Sequence, residues 1–149
     1  MLTAFQRVIA VLALPLLVCA GGCNQPASTG HDDDHDHTDE YLTATAWSDD
    51  LEVFAEFPHL IVNHAERMVL HLTRLPAGSP VDSGSLSLLW SDEAGGTFVR
   101  TVAGPTSPGI YLVDAEVPTA GHWSLTVTPE QGGVPATLEG IHVSATSLE

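Results

Sequence analysis

From Tyr41 onward, short runs of β-branched, aromatic and aliphatic residues recur about every 8 to 12 residues, separated by turns rich in glycine and proline. No part of this region shows sustained helical periodicity. The pattern predicts an all-β fold, an antiparallel immunoglobulin-like β-sandwich of about seven or eight short strands. The predicted strands comprise residues 51–57, 59–62, 68–74, 85–90, 97–102, 109–115, 123–127 and 138–143.

Alternation within these runs predicts the core, because successive side chains of a strand point to opposite faces of its sheet. His71 falls on the outer face of its run, together with the other odd-numbered residues around it. The three tryptophans, Trp47, Trp90 and Trp123, are expected in the core or at its edge. The other residues predicted to face inward are Met68, Leu70, Leu72, Leu86, Leu88, Ile110, Leu112, Leu125, Val127, Ile141 and Val143.

The first 22 residues are typical of a secretion signal, with Arg7 ahead of the apolar run of residues 8–18. That run is too short to span a bilayer. It ends in Ala-Gly-Gly before Cys23, which resembles a bacterial lipobox and predicts a lipoprotein signal peptide over residues 1–22 with Cys23 acylated. The alternative is an ordinary cleavage site with Cys23 as a spare thiol. We therefore expect a lipid-anchored protein on the periplasmic side of the envelope, with Asn24 favouring the outer membrane.

Residues 23–46 are predicted to form a disordered tether rich in histidine and aspartate, because residues 24–40 hold no aliphatic side chain larger than alanine. Imidazole and carboxylate groups are preferred ligands of zinc, copper, cobalt and nickel. We expect the tether to bind such a divalent ion in an exchangeable way, because a flexible site must be ordered on binding. The alternative is a solvated acidic spacer. The candidate ligands are His31, Asp32, Asp34, His35, Asp36 and His37.

The formal net charge of the 149 residues is -15, from 19 acidic against 4 basic side chains. A nucleic-acid partner is therefore not expected, whereas cations are attracted. The sequence holds no nucleophile elbow, no Gly-rich phosphate loop, no His-Glu-x-x-His motif and no lysine. We expect no enzymatic activity.

Five histidines lie within the predicted domain, assigned to residues 47–149. His64 and Glu66 fall in a loop and His71 on the outer face of a strand, so these three are a second candidate metal site, although the sequence does not bring them together. A lone histidine on a strand is otherwise a surface or hydrogen-bonded residue. The other three histidines of the domain are His59, His122 and His142.

Several segments resemble, in the same order, the N-terminal domain of periplasmic adaptor subunits of heavy-metal efflux pumps. These pumps are of the resistance-nodulation-division type, in the cobalt-zinc-cadmium and copper-silver branch. The resemblance extends over about residues 48–144 and implies a β-sandwich that serves metal efflux. Its segments are Phe-Ala-Glu-Phe-Pro-His-Leu-Ile-Val (54–62), residues 66–75, Pro-Val (80–81), Pro-Gly-Ile-Tyr (108–111) and residues 118–127.

Adaptors of that family also contain a lipoyl-like hybrid domain, a helical hairpin and a barrel, and these have no counterpart in the 149 residues. The resemblance therefore implies a stand-alone copy of the adaptor's N-terminal domain or a fragment of a longer adaptor. The 108–111 segment and the Ala-Gly-His-Trp of residues 120–123 also resemble small immunoglobulin-like modules of copper handling.

Three functions follow as expectations. The first is a periplasmic, lipid-anchored accessory protein of heavy-metal efflux or homeostasis that captures or buffers divalent cations. The second is a non-catalytic module that docks on an efflux pump, its adaptor or another envelope partner, with the tether as a spacer. The third is a copper-delivery domain, against which Met68 stands alone as a soft ligand after the signal.

Overall fold

The computed structural model describes residues 41–146, which form ten β-strands and no helix. Within that range no helix has the length and apolar character needed to cross a membrane. All eight predicted strands are present, and two of them have the predicted bounds. The strands are β1 (Leu42–Trp47), β2 (Leu51–Phe57), β3 (Leu60–Ile61), β4 (Ala65–Arg74), β5 (Ser79–Pro80), β6 (Leu86–Asp92), β7 (Thr97–Val102), β8 (Ile110–Glu116), β9 (Gly121–Pro129) and β10 (Ala136–Ser144).

The strands form two five-stranded sheets, so the predicted all-β sandwich is confirmed. The first sheet has the order β1-β2-β4-β5, with β8 also paired to β4, and the second has the order β3-β10-β9-β6-β7. Every pairing is antiparallel except that of β3 with β10, which is parallel. We call the face of each sheet that is turned away from the core its outer face.

The core between the sheets is wholly apolar among the described residues, with no buried polar or charged residue. The predicted inward faces of β4, β6, β9 and β10 are confirmed, since every inward residue predicted there is at most 3% exposed. Trp90 and Trp123 lie in this core, and Phe98 packs between them with ring centroids 5.9 and 5.5 Å away. Burying side chains of this size removes the largest areas of apolar surface from water.

The predicted inward face of β8 is wrong. Ile110 is only half-buried and Leu112 is exposed, whereas Tyr111 and Val113 are buried. Apolar residues occupy both odd and even positions at the start of β8, so alternation does not determine which of its faces is buried. Pairing with β4 determines it, because Tyr111 lies opposite Leu70 on the inward side. Its hydroxyl donates toward the backbone carbonyl oxygens of residues 83 and 84, both at 3.2 Å. Burial raises the pKa of Tyr111.

The domain begins earlier than predicted, because β1 pairs along its whole length with β2. The predicted tether therefore extends too far, and its residues 42–46 belong to the sheet. The inward positions of β1 after Leu42 are alanines, and Ala46 is buried. Trp47, expected at the core, is 64% exposed because it points to the outer face. The two-residue strand β5 falls between two predicted strands and pairs with the end of β4.

Candidate metal-binding histidines

The candidate ligands of the tether, His31, Asp32, Asp34, His35, Asp36 and His37, lie outside the described residues, as does the predicted acylation site, Cys23. The lipid anchor and the tether's metal site therefore remain predictions. The structure bears on the histidines of the folded domain.

The second candidate site of the sequence is not formed, because His64, Glu66 and His71 are not brought together. His64 is exposed in the turn before β4. Glu66 and His71 are five positions apart on β4, an odd number, so their side chains leave opposite faces of the sheet. Glu66 has the parity of the buried Met68, and His71 points to the outer face.

His71 has a different partner, which the sequence did not indicate. Its Nε2 lies 3.0 Å from Oε2 of Glu56 on the adjacent β2, and its ring centroid lies 5.5 Å from that of Phe54. Both side chains of this contact are about two-fifths exposed. Such a pair contributes little to stability, because water screens it and both side chains lose freedom.

His122 and His142 lie directly opposite each other on β9 and β10, and both are exposed on the outer face of the second sheet. Their ring centroids are 5.2 Å apart with an angle of 59° between the ring planes. Ser144 Oγ lies 3.5 Å from Nδ1 of His142, a long contact on the side of the ring away from Nε2.

A β-bulge produces this alignment. Leu138 pairs with Leu125 and Ile141 with Trp123, so residues 139 and 140 together oppose one residue of β9. Gly140 has φ +71°, the left-handed conformation that glycine adopts without steric cost. Without the bulge, β10 would continue in the earlier register, His142 would turn inward, and Ile141 would lie opposite His122.

The sequence did not indicate this pair, because the proximity of His122 and His142 depends on the register of a hairpin with one extra residue. The predicted strands 123–127 and 138–143, joined by a glycine turn, indicated the hairpin but not its pairing. The available signal was Gly140 itself, since a glycine inside a strand pattern often marks a bulge.

Next to the histidine pair lies a shallow, open cleft of about 310 Å³, lined by His122, Glu139, Asp92 and Glu93 among others. Asp92 is engaged in its own turn, where its Oδ1 accepts a hydrogen bond from the Gly96 amide at 2.6 Å. Nowhere in residues 41–146 are three or more histidine, cysteine, aspartate or glutamate side chains arranged to hold one ion. A site at the pair would therefore have two protein ligands.

The charge of the described domain is strongly negative, with twelve aspartates and glutamates against three arginines. Each arginine has a partner: Arg67 binds Asp114 at 2.8 Å, Arg100 lies 3.3 Å from Glu116, and Arg74 donates to the amide oxygen of a glutamine. The side chain of Arg100 also lies over the Phe98 ring, on the inward side of β7. The outer face of the second sheet thus carries none of these three cations.

Met68 is fully buried, so it offers no thioether to a copper ion at the surface. This weakens the support for a copper-delivery domain.

Comparison of the chain with protein-family models, curated proteins and solved structures finds no match. The resemblance to efflux adaptors therefore remains a prediction.

Proposed function

We propose that this protein captures or buffers divalent cations as a lipid-anchored accessory of heavy-metal efflux or homeostasis at the periplasmic side of the envelope. One observation carries the proposal: three histidines and six carboxylates lie within residues 31–40. Such a segment offers imidazole and carboxylate ligands to one ion in several arrangements, with zinc, copper, cobalt and nickel as the metals that suit them.

The folded domain supports this proposal because nothing in its described residues requires a metal for stability. The core is apolar, and no buried side-chain nitrogen or oxygen in residues 41–146 lacks a hydrogen-bond partner. The excess of carboxylates over arginines adds a negative field that raises the local concentration of cations.

Calorimetric titration of the purified full chain with Cu²⁺ and Zn²⁺ tests the proposal. We compare the unaltered chain with a His31/His35/His37→Ala variant, and use a His59/His64→Ala variant, which removes two histidines of the domain, as the matched control. Capture by the tether is supported if the His31/His35/His37→Ala variant loses most of its metal-binding capacity and the His59/His64→Ala variant loses none. Equal binding by all three chains would contradict it.

The pH dependence gives a second measurement. Imidazole has an ordinary pKa of about 6.5, so protons compete with the metal increasingly as the pH falls from about 7 to 5. We expect the affinity to fall steeply over that range. A binding curve unchanged between these two pH values would mean that carboxylates alone hold the ion.

A second candidate function, docking on an efflux adaptor or another envelope partner, is favoured by the outer face of the first sheet. Trp47 is 64% exposed and Leu112 38% exposed there. Val69 lies directly opposite Leu112, and Phe54 and Ile110 flank His71 in the neighbouring cross-strand row; all three are half-buried, whereas the residue opposite Trp47 is Glu52. Exposed aromatic side chains on an apolar surface are typical of interfaces. Cross-linking in envelopes, compared between the unaltered chain and a Trp47→Ser/Leu112→Ser variant, tests it; adducts that persist in the variant would contradict docking by this face.

A further inference from the structure

We infer that His122 and His142 form a separate metal site on the outer face of the second sheet, where two imidazoles chelate one divalent ion such as Cu²⁺ or Zn²⁺. The inference deepens the proposed function, on which its biological meaning rests, but its chemistry involves neither the tether nor the lipid anchor. No residue of this pair was assigned a role by the sequence.

The spacing of the two rings fits one tetrahedral ion. An ion about 2.0 Å from a ring nitrogen lies about 3.2 Å from that ring's centroid, so two imidazoles at the tetrahedral angle have centroids about 5.2 Å apart. The observed separation of the His122 and His142 centroids is 5.2 Å. This separation matches a tetrahedral ion such as Zn²⁺. Two cis ligands of a square-planar Cu²⁺ would have centroids about 4.5 Å apart, so that ion requires the two rings to approach each other by about 0.7 Å.

The two strands hold the pair in place. β9 and β10 are paired on both sides of the bulge, from Ala136 opposite Val127 to Val143 opposite Gly121. The neighbouring residues on both strands, Trp123, Ile141 and Val143, are buried and fix the direction in which the histidines point. A ligand pair that is positioned before binding loses less conformational freedom when the ion binds.

The surroundings favour a cation. Glu139 is the first residue of the bulge and lines the adjoining cleft together with Glu93, and the three arginines of residues 41–146 are directed elsewhere. Because both rings are exposed, water molecules can complete the coordination of the ion. With two protein ligands the site should be labile, and its preference should follow the intrinsic order, with Cu²⁺ above Ni²⁺, Co²⁺ and Zn²⁺.

The experiment uses the full chain carrying His31/His35/His37→Ala, so that the tether no longer contributes imidazoles. We titrate this chain with Cu²⁺, then repeat the titration with His122→Asn or His142→Asn added, and with His59→Asn as the matched control. We expect the tether variant to retain one equivalent of bound Cu²⁺. The affinity for this ion should fall at least about tenfold with His122→Asn or His142→Asn, because loss of even a group that only hydrogen-bonds to a metal ligand costs that much. It should be unchanged with His59→Asn.

Two spectroscopic readouts separate chelation from a structural effect. The electron paramagnetic resonance spectrum of the retained Cu²⁺ should show hyperfine splitting from two imidazole nitrogens, reduced to one in either single variant. Circular dichroism of the variants should match the parent, because both side chains are exposed.

The outcomes distinguish this inference from the proposed function. Residual Cu²⁺ binding that is indifferent to His122→Asn and His142→Asn would overturn the inference, as would complete loss of binding when only the tether is altered. Binding that survives tether substitution unchanged, but disappears with either of these two histidines, would support the inference and overturn capture by the tether.

Discussion

The left-handed backbone conformation of Gly140 forms the bulge in β10, and the alignment of His122 with His142 depends on that bulge. The φ of Gly140 is +71°, and a Cβ added there would meet no atom within 4 Å. Gly140→Ala should therefore destabilise the domain through backbone strain alone, without a steric clash. The left-handed conformation costs an L-residue about 1–2 kcal/mol.

This cost converts into a measurable shift. For a domain of about 100 residues, 1 kcal/mol corresponds to a fall in Tm of about 4 °C, so Gly140→Ala should lower Tm by about 4–8 °C. Gly140→Asn should cost less, because asparagine adopts the left-handed region more readily. Gly104→Ala is the matched control, since Gly104 does not have a positive φ and the nearest atom to an added Cβ is 3.9 Å away.

The assay is urea unfolding and a thermal melt of the three variants beside the parent chain. Proton contacts between the rings of His122 and His142, measured by nuclear magnetic resonance, report whether the bulge persists. If Gly140→Ala is as stable as Gly104→Ala, or if alanine and asparagine cost the same at position 140, the reasoning from strain is refuted.

Three further predictions concern the anchor, the core and one carboxylate. Cys23→Ser should release the protein from the membrane fraction and abolish incorporation of a labelled fatty acid; unaltered protein that is soluble and unlabelled would contradict the anchor. The chain should show a β-type circular dichroism spectrum and a cooperative melt in chelator and reductant, because its described core is apolar; folding that requires added zinc would contradict this. Glu130 accepts hydrogen bonds from the amide and hydroxyl of Ser85, both at 2.9 Å, and these lower its pKa. The ionised Glu130 side chain therefore stabilises the fold above about pH 4.5, and this stabilisation is lost as the pH falls through the lowered pKa of Glu130. Glu130→Gln should make the free energy of unfolding less dependent on pH in this acid range. An unchanged pH dependence would contradict this.

The sequence was sufficient to predict the strands whose alternation is clear and whose ends are marked by turns. β2 and β7 have the predicted bounds because both are flanked by polar or glycine-containing turns. β1 was missed because alanines follow Leu42 on its inward face and threonines precede Trp47 on its outer face, so the segment resembles a linker. The face of β8 could not be predicted because isoleucine, tyrosine, leucine and valine follow one another, and only pairing with β4 decides which of them are buried.

Within the folded domain, the grouping of candidate ligands was wrong for a related reason: proximity across strands depends on register, which local composition does not determine. His71 was grouped with His64 and Glu66 by distance along the chain, yet strand parity separates it from Glu66 and its partner comes from β2. The candidate ligands of the tether lie outside the described residues, so their prediction depends on composition alone.

If direct cross-strand pairing is what makes two histidines a chelate, the arrangement should be transferable to the other sheet. Phe54 lies directly opposite His71, with ring centroids 5.5 Å apart, close to the 5.2 Å between His122 and His142. Phe54→His should therefore create a two-imidazole site there. In a chain that also carries His31/His35/His37→Ala and His122→Asn, we expect the substitution to add one Cu²⁺ equivalent, with two nitrogens in the paramagnetic resonance spectrum. Phe54→Asn in the same chain is the control for loss of the ring. If a folded Phe54→His variant binds no more Cu²⁺ than this control, cross-strand register and ring spacing are insufficient to form a metal site. The neighbours of each pair, such as Glu56 beside His71, would then decide whether an ion binds.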